Sequence, residues 1–259
     1  MPSIVIAMPA AQSNVKMHTT QTVVDTALGL RAAGHEARFV AAEFSEVVWA
    51  RNFLASWALN NGADLLYFID SDMYFPPEVS LALVAADKDV IGAVYPRRHV
   101  DMDKLVANAR AMPNAKATEV LGRTVDYCVR VLDGALRFTD GIAEAAGVGM
   151  GAAVIKASVL RAMIDRQAAP LLPDDKGVGF PTYGFFDPLD DERGHPLSED
   201  FSFCARWRSL GGKVHVMDAP RVGHIGTFNF RGSYADAMIA RAPTPPTWTG
   251  GASISFKPR

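Results

Sequence analysis

The stretch Leu65-Leu-Tyr-Phe-Ile-Asp-Ser-Asp72 sets the fold class and locates the first candidate chemistry. Its five leading apolar residues are typical of a parallel strand that is covered on both faces. Asp70 and Asp72 follow with only Ser71 between them, so two carboxylates emerge at the carboxyl end of the strand. Both can reach one cation, which predicts a Mg²⁺ or Mn²⁺ site able to bridge diphosphate oxygens. A turn that caps the following helix explains the same residues without a ligand.

On either side of this stretch, strand-like and helix-like patterns alternate. Residues 3–7 and Glu36–Ala42 are strand-like, and residues 19–33 have apolar side chains at helical intervals. Ser45 is predicted to cap a second helix, and Pro76-Pro77 opens a third before the strand Val90–Val94. This order predicts the α/β class, with a mostly parallel, doubly wound sheet that binds ligands beyond the carboxyl ends of its strands.

Beyond residue 98 the pattern changes. A polar stretch leads to residues 124–132, which are rich in Val and Tyr, and this predicts a smaller antiparallel portion of the sheet. The loop 170–197 is long enough to be a candidate lid, and Ser198 is placed to cap the helix that follows. We expect one domain over 1–242 with halves 1–98 and 99–242, and a Pro-rich tail over 243–259.

Composition excludes several classes of function. The 259 residues include 26 basic and 28 acidic side chains, a net charge of −2, so no broad positive field attracts nucleic acid. No run approaches the ~20 apolar residues of a transmembrane helix, and the N-terminus does not resemble a signal peptide, so the expected location is cytoplasmic. Cys128 and Cys204 lack metal-ligand spacing and are expected to be reduced thiols.

Six motifs occur in an order that resembles a GT-A fold glycosyltransferase, of the DxD-containing, family-2-like kind that uses nucleotide sugars. They are Ile4-Val-Ile-Ala-Met-Pro9, Ala50-Arg-Asn52, Phe68-Ile-Asp-Ser-Asp72, Gly147-Val-Gly-Met-Gly151, Glu199-Asp200 and His224. The resemblance runs from residue 3 to about residue 230. It implies a single GT-A-type domain whose half 1–98 binds a UDP- or GDP-sugar and whose half 99–242 binds the acceptor. The acceptor would be a carbohydrate, lipid-linked or protein hydroxyl.

The resemblance also implies the ligands of the metal and of the donor. It places the metal, Mn²⁺ or Mg²⁺, between Asp70, Asp72 and His224. Taken alone, a single histidine is more often a surface or core residue than a ligand. The residues implied in donor binding are Pro9, Ala10, Arg51, Asp70, Ser71 and Asp72.

For the acceptor side, the resemblance makes Asp200 the general base of an inverting reaction and Glu199 an orienting residue. Retaining members need no such base, and acidic residues are favoured in the first turn of any helix. Gly149 and Gly151 either let a sugar approach the backbone closely or simply form a tight turn. Tyr183 and Phe185 either pack against an acceptor sugar or form an apolar cluster within the long loop.

Three other functions compete with glycosyl transfer. A haloacid-dehalogenase-like phosphatase would use Asp70 as a nucleophile, but its motif belongs on the first strand, and here two strand–helix units precede it. A sugar-nucleotide pyrophosphorylase should carry a Gly-rich, basic loop after the first strand, which Ala10-Ala-Gln-Ser13 is not. A non-catalytic sugar-binding protein of the same fold is expected to lack at least one of Asp72, Asp200 and His224.

Overall fold

The computed structural model describes residues 1–11, 14–174, 177–219 and 221–227. Within these residues the strands are β1 (Ser3–Pro9), β2 (Glu36–Ala42), β3 (Leu65–Ile69), β4 (Met73–Tyr74), β5 (Val90–Val94), β6 (Val129–Arg130), β7 (Ile142–Ala145), β8 (Gly147–Val148), β9 (Ala152–Lys156), β10 (Val214–Asp218) and β11 (Gly223–His224). The helices are α1 (Met17–Ala32), α2 (Val47–Asn60), α3 (Pro77–Ala85), α4 (Met102–Ala111), α5 (Ala117–Thr124), α6 (Ala157–Asp165) and α7 (Glu199–Ser209).

Seven of these strands form the central sheet, in the order β2-β1-β3-β9-β5-β10-β7. Strands β1, β2 and β3 are parallel to one another, and so are β5 and β10. Strand β9 lies antiparallel between β3 and β5, so β3 and β5 also point the same way, and β7 runs antiparallel at the edge. The smaller pairs β4–β11 and β6–β8 are antiparallel. The predicted α/β class, mostly parallel with a smaller antiparallel portion, is confirmed.

The sheet is covered on both faces because its strands alternate their side chains between two apolar clusters. Leu66 and Phe68 of β3 belong to one cluster, with Leu54 of α2 and Phe203 of α7. Their neighbours in β3 belong to the other cluster, which α1 and α3 cover from the opposite face. Full burial of such a side chain contributes ~1.5–3 kcal/mol, and the two clusters hold the ends of the parallel strands in fixed positions.

The structure corrects several local predictions. Helix α2 begins at Val47 with Glu46 as its N-cap, so Ser45 does not cap it. The polar stretch after residue 98 contains helix α4, none of whose side chains is buried. Of residues 124–132, for which an extended strand was expected, only Val129–Arg130 form a strand, β6, and Thr124 is the last residue of helix α5. The antiparallel portion was expected to be separate from the parallel strands, but the antiparallel strand β9 lies in the middle of the central sheet.

The described residues up to Gly226 form one compact unit. The predicted boundary at 242 and the tail 243–259 lie outside the described residues. Within the described part of the chain, every helix is too short or too polar to cross a bilayer.

Candidate functional site

A cleft of about 440 Å³ opens at the carboxyl edge of the parallel strands. Pro9 ends β1, Asp70 follows β3 and Tyr95 follows β5, so three strand ends converge on it, and α7 points its first turn at the same place. This is where ligands bind in open α/β sheets. The predicted residues that line the cleft are Pro9, Ala10, Arg51, Asp70, Ser71, Asp72, Glu199, Asp200 and His224.

Asp72 and His224 are brought together by the small pair β4–β11. In that pair His224 lies opposite Met73, and the backbone N–H of Ile225 donates to the carbonyl of Asp72 (2.8 Å). Nε2 of His224 then lies 3.3 Å from Oδ1 of Asp72. The other ring nitrogen, Nδ1, donates to the carbonyl of Pro96 (3.0 Å), which leaves a lone pair on Nε2 in the neutral ring.

Asp72 also pairs with Arg98, whose Nη1 donates to its Oδ2. Burial alone would raise the pKa of the Asp72 carboxyl, but its contacts with His224 and Arg98 hold this pKa below its ordinary value. Asp72 is therefore an ionised carboxylate in this cleft.

Arg51 is the buried centre of a second group of charges. Its side chain is 2% exposed, and its Nη1 and Nη2 each lie 3.1 Å from an oxygen of Asp70. Its Nε lies 3.2 Å from Asp200 and 3.4 Å from Glu199, and its guanidinium stacks over the ring of Phe68. Burial lowers the pKa of Arg51, but the three carboxylates more than offset this and raise it. Arg51 thus ties the end of β3 to the start of α7.

This geometry bears on two predicted roles. Arg51 lines the cleft, but its side chain is 2% exposed and its guanidinium faces the carboxylates of Asp70, Glu199 and Asp200. Asp70 is turned toward Arg51, and the structure does not bring it to the Asp72–His224 pair as a third metal ligand. The same contacts argue against a phosphatase, because a nucleophilic Asp70 would have to present an oxygen that Arg51 already holds.

Asp200 sits at the floor of the cleft. One oxygen accepts the backbone N–H of Met150 (3.0 Å), the other faces Arg51, and the side chain keeps 16% of its surface exposed. Burial raises the pKa of Asp200 to about 7, helped by the nearby charges of Glu199 and Asp70 and opposed by Arg51. A carboxylate with such a pKa exchanges protons readily at neutral pH.

Gly149 and Gly151 are buried beside Tyr95 and are not exposed to a ligand. A Cβ on Gly149 would collide with the hydroxyl of Tyr95, and one on Gly151 would lie 2.7 Å from it. The N–H of Gly151 donates to this hydroxyl (3.0 Å), and its carbonyl accepts from the N–H of Asp70 (3.1 Å). These contacts give Gly149 and Gly151 a packing role that makes room for Tyr95, which neither of the two interpretations from the sequence included.

Residues near the middle of the long loop 170–197 are buried in the core. Phe185 is fully buried and so has no surface to offer an acceptor, and Tyr183 is half-buried outside the cleft lining. The side chain of Asn52 holds the loop by accepting from the N–H of Phe186 (2.8 Å) and donating to Asp187 (2.7 Å). This attachment does not fit a lid that opens and closes over its whole length.

The residues at the cleft fit a divalent cation, although no group of three or more His, Cys, Asp or Glu side chains with metal-site geometry occurs among the described residues. In the tautomer fixed by Pro96, Nε2 of His224 and Oδ1 of Asp72 are two electron-pair donors that face each other, an arrangement stabilised by a shared cation or a proton. In addition, four carboxylates and two guanidiniums line the described part of the cleft, an excess of two negative charges when all are ionised and His224 is neutral. Mg²⁺ and Mn²⁺ are commonly held by one or two protein groups plus phosphate oxygens.

Sequence reasoning missed several cleft residues, among them Tyr95, Arg98 and Cys128. Burial raises the pKa of the Cys128 thiol to about 11 and the pKa of Tyr95 well above its ordinary range, so both are neutral near pH 7. A usable signal existed for the first two, because Tyr95 and Arg98 directly follow a predicted parallel strand at the edge where ligands bind.

Neither a protein-family model nor a curated protein matches this sequence. Solved structures are similar to this chain at low levels, as three examples illustrate. A STIV protein has a TM-score of 0.43 at 14% identity, covering 83% of this chain and 82% of that one. A glycosyltransferase involved in the glycosylation of the major capsid of PBCV-1 has a TM-score of 0.33 at 11% identity, covering 64% and 65%. A UDP-glucose pyrophosphorylase complexed with UDP-glucose has a TM-score of 0.42 at 8% identity, covering 85% and 91%. Likeness this low says nothing about function.

Proposed function

We propose that this chain is a metal-dependent glycosyltransferase that moves a sugar from a UDP- or GDP-sugar to an acceptor hydroxyl. One observation carries the proposal: a single cleft at the carboxyl edge of the sheet holds both the Asp72–His224 pair and the buried Asp200. The first group suits a cation that meets a diphosphate, and the second suits proton transfer. A metal-dependent, inverting glycosyl transfer from a nucleotide sugar needs these two tasks side by side.

On the donor side, Asp72 and His224 would hold Mn²⁺ or Mg²⁺, which neutralises the charge that builds on the departing nucleoside diphosphate. Pro9, Ala10 and Ser71 line the same cleft, and we assign them to contact with the nucleotide. Asp70 shapes this region indirectly, because its contact with Arg51 fixes the turn that carries Ser71 and Asp72.

On the acceptor side, Asp200 removes the proton of the acceptor hydroxyl. As it does so, the hydroxyl oxygen bonds to the anomeric carbon, and the bond from that carbon to the diphosphate breaks. The electron pair of that bond leaves on the nucleoside diphosphate, so the configuration at the anomeric carbon inverts. Glu199 shares Arg51 with Asp200 and thereby keeps the base aimed into the cleft. The acceptor is a carbohydrate, lipid-linked or protein hydroxyl.

A thermal-shift screen tests this proposal. UDP, GDP, other nucleoside diphosphates and their sugars are compared with Mn²⁺ and with EDTA. A ligand at a hundred times its dissociation constant stabilises the folded chain by ~2.7 kcal/mol, a shift of several degrees. We expect a shift with one nucleotide family in Mn²⁺ and its loss in EDTA. A screen in which no nucleotide diphosphate shifts the transition contradicts the proposal.

A further inference from the structure

Arg98 lies at the rim of the cleft, where its contact with Asp72 is open to solvent. Its side chain is 53% exposed, and one guanidinium nitrogen donates to Oδ2 of Asp72. An ion pair between an exposed arginine and a carboxylate contributes little to stability, since water and salt compete with it. The contact is therefore easily exchanged for another partner.

The two oxygens of Asp72 are divided between two groups. Oδ1 faces Nε2 of His224 at 3.3 Å, and Oδ2 accepts from Arg98. A divalent cation bound through Asp72 and His224 would place positive charge next to the guanidinium of Arg98. The cation and Arg98 therefore compete for the same carboxylate.

The base of the Arg98 side chain is fixed although its tip is exposed. A Cβ on Gly226 would lie 3.0 Å from Cβ and 3.2 Å from Cγ of Arg98, so the stem runs directly beside this glycine. The preceding residue, Arg97, is anchored by its N–H to the carbonyl of Asp126 (2.7 Å). Rotation about the outer bonds of Arg98 thus moves the guanidinium within the cleft mouth without moving the backbone.

We propose that Arg98 exchanges partners on donor binding, an inference that rests on the proposed function. It pairs with Asp72 as seen here, and it turns to the donor diphosphate once Asp72 and His224 hold a divalent cation. The guanidinium is suited to this exchange because its planar donors match phosphate oxygens as well as carboxylates. Arg98 is then both a competitor of the metal and a ligand of the nucleotide.

This double role gives effects of opposite sign on two ligands. Without the Arg98 charge, Asp72 is free for the cation, so Mn²⁺ alone should bind more tightly, by several-fold. Without its donors, the diphosphate loses a charged hydrogen-bond partner, so UDP or GDP in saturating Mn²⁺ should bind more weakly, on the order of tenfold. A merely structural Arg98 would change both affinities in the same direction.

The experiment is calorimetric titration of the full chain with Mn²⁺ alone, and then with UDP and GDP at saturating Mn²⁺. The variants are Arg98→Gln, which keeps the stem beside Gly226, and Arg98→Ala. Arg97→Gln is the matched control, because it removes the same charge from an exposed neighbour outside the cleft lining. We expect tighter Mn²⁺ and weaker nucleotide binding for both Arg98 variants, and no change for the control.

Two results separate this inference from the proposed function. If the wild-type chain binds Mn²⁺ and nucleotide but the Arg98 variants change neither affinity, or weaken both, the exchange is wrong and the proposed function stands. If the wild-type chain binds neither ligand, the proposed function fails and the role of Arg98 falls with it. If the Arg97 and Arg98 variants change the two affinities equally, the cause is a general loss of positive charge. That result also contradicts the proposed exchange of partners by Arg98.

Discussion

The carbonyl of Pro96 accepts a hydrogen bond from Nδ1 of His224 at 3.0 Å, and this contact orients the imidazole toward Asp72. A carbonyl only accepts, so the proton must lie on Nδ1 and the lone pair of the neutral ring on Nε2. The ring is also held by an edge contact with Tyr95, with centroids 5.3 Å apart. The segment that follows β5 thus holds the ring of His224 in the orientation that the proposed metal site needs.

The first prediction is that His224→Gln weakens Mn²⁺ binding by at least about tenfold, the loss typical of a disturbed metal shell. Titration calorimetry with Mn²⁺ measures it. His195→Gln is the control, because His195 is exposed in the long loop and lies outside the cleft lining. Equal Mn²⁺ affinity in His224→Gln and wild type would remove His224 from the metal site.

The second prediction concerns Arg51, which is buried among three carboxylates. Arg51→Met leaves these charges without their partner, so the free energy of unfolding should fall by ~3–5 kcal/mol at pH 7. Urea denaturation measures the change. Arg38→Met, which removes an arginine that is about half exposed, should stay within ~0.5 kcal/mol of wild type.

A second variant keeps the Arg51 prediction testable if Arg51→Met does not fold. The double variant Arg51→Met/Asp70→Asn also removes one of the carboxylate charges that lose their partner. Its free energy of unfolding should therefore be higher than that of Arg51→Met. Additive losses in the double variant would mean that Arg51 and Asp70 do not act on each other.

Much of the fold was predictable because its signals are local. The apolar run of β3 and the exact bounds of β2 and β5 are visible in the sequence, since buried strands need uninterrupted or alternating apolar residues. Helix α4 was missed although Met102, Leu105, Val106 and Ala109 recur at helical intervals, because the polar residues between them dominate the stretch. The place of β9 between β3 and β5 was also hidden, because strand order depends on contacts between distant segments.

The candidate site, like the fold, was predictable from the sequence only in part. Asp72 was predicted from its position after a strand, and Asp200 and His224 were implied by the resemblance; the structure places all three in the lining of one cleft. The sequence could not show that the guanidinium of Arg51 pairs with carboxylates, because this pairing depends on how far α2 lies from α7. Nor could the sequence show that Gly149 and Gly151 make room for Tyr95, since these glycines are more than fifty residues away from Tyr95 in the chain.

The third prediction tests this packing role. Gly149→Ala places a methyl group against the hydroxyl of Tyr95 and should cost ~1–3 kcal/mol of stability. In a double-mutant cycle, Tyr95→Phe removes the oxygen that the methyl group meets, so the two changes should cost less together than their sum. Unchanged stability of Gly149→Ala combined with weaker acceptor binding would instead restore the interpretation that a sugar approaches this glycine.

The fourth prediction is a pH dependence from Asp200. Its raised pKa means that the base form appears as pH rises through about 7, so transfer should increase through that value and level off above it. A steady-state rate profile between pH 5 and 9 measures the rise, which Asp200→Asn should abolish.

Stability should show the opposite trend. A carboxyl whose pKa is higher in the folded chain stabilises the fold fully below its unfolded pKa of about 4, and this contribution is lost as pH rises through about 7. Compared with Asp200→Asn, the wild-type chain should therefore lose stability between pH 5 and pH 8 in urea denaturation. Parallel stability curves for the two proteins would show that Asp200 titrates at an ordinary pKa.

The last prediction separates the two acidic groups of the cleft. Asp72 is proposed to hold the metal and the diphosphate, whereas Asp200 is proposed to act on the acceptor. Asp72→Asn removes a charged ligand, so nucleotide-sugar affinity should fall markedly and transfer should fall with it. Asp200→Asn leaves the Asp72–His224 pair whole, so donor affinity should persist while transfer drops by ~10²–10⁴-fold, the usual contribution of a general base.

Titration of the nucleotide sugar in Mn²⁺ and product formation, both measured for each variant, decide between these roles. Asp133→Asn serves as the control, because it removes a carboxylate that is exposed and lies outside the cleft lining. Transfer by Asp200→Asn at near wild-type rate would show that Asp200 is not the base, and a retaining mechanism would then be the better account. If Asp200→Asn instead loses donor affinity as badly as Asp72→Asn, the two carboxylates serve one site, because a base that touches only the acceptor has no reason to affect the donor.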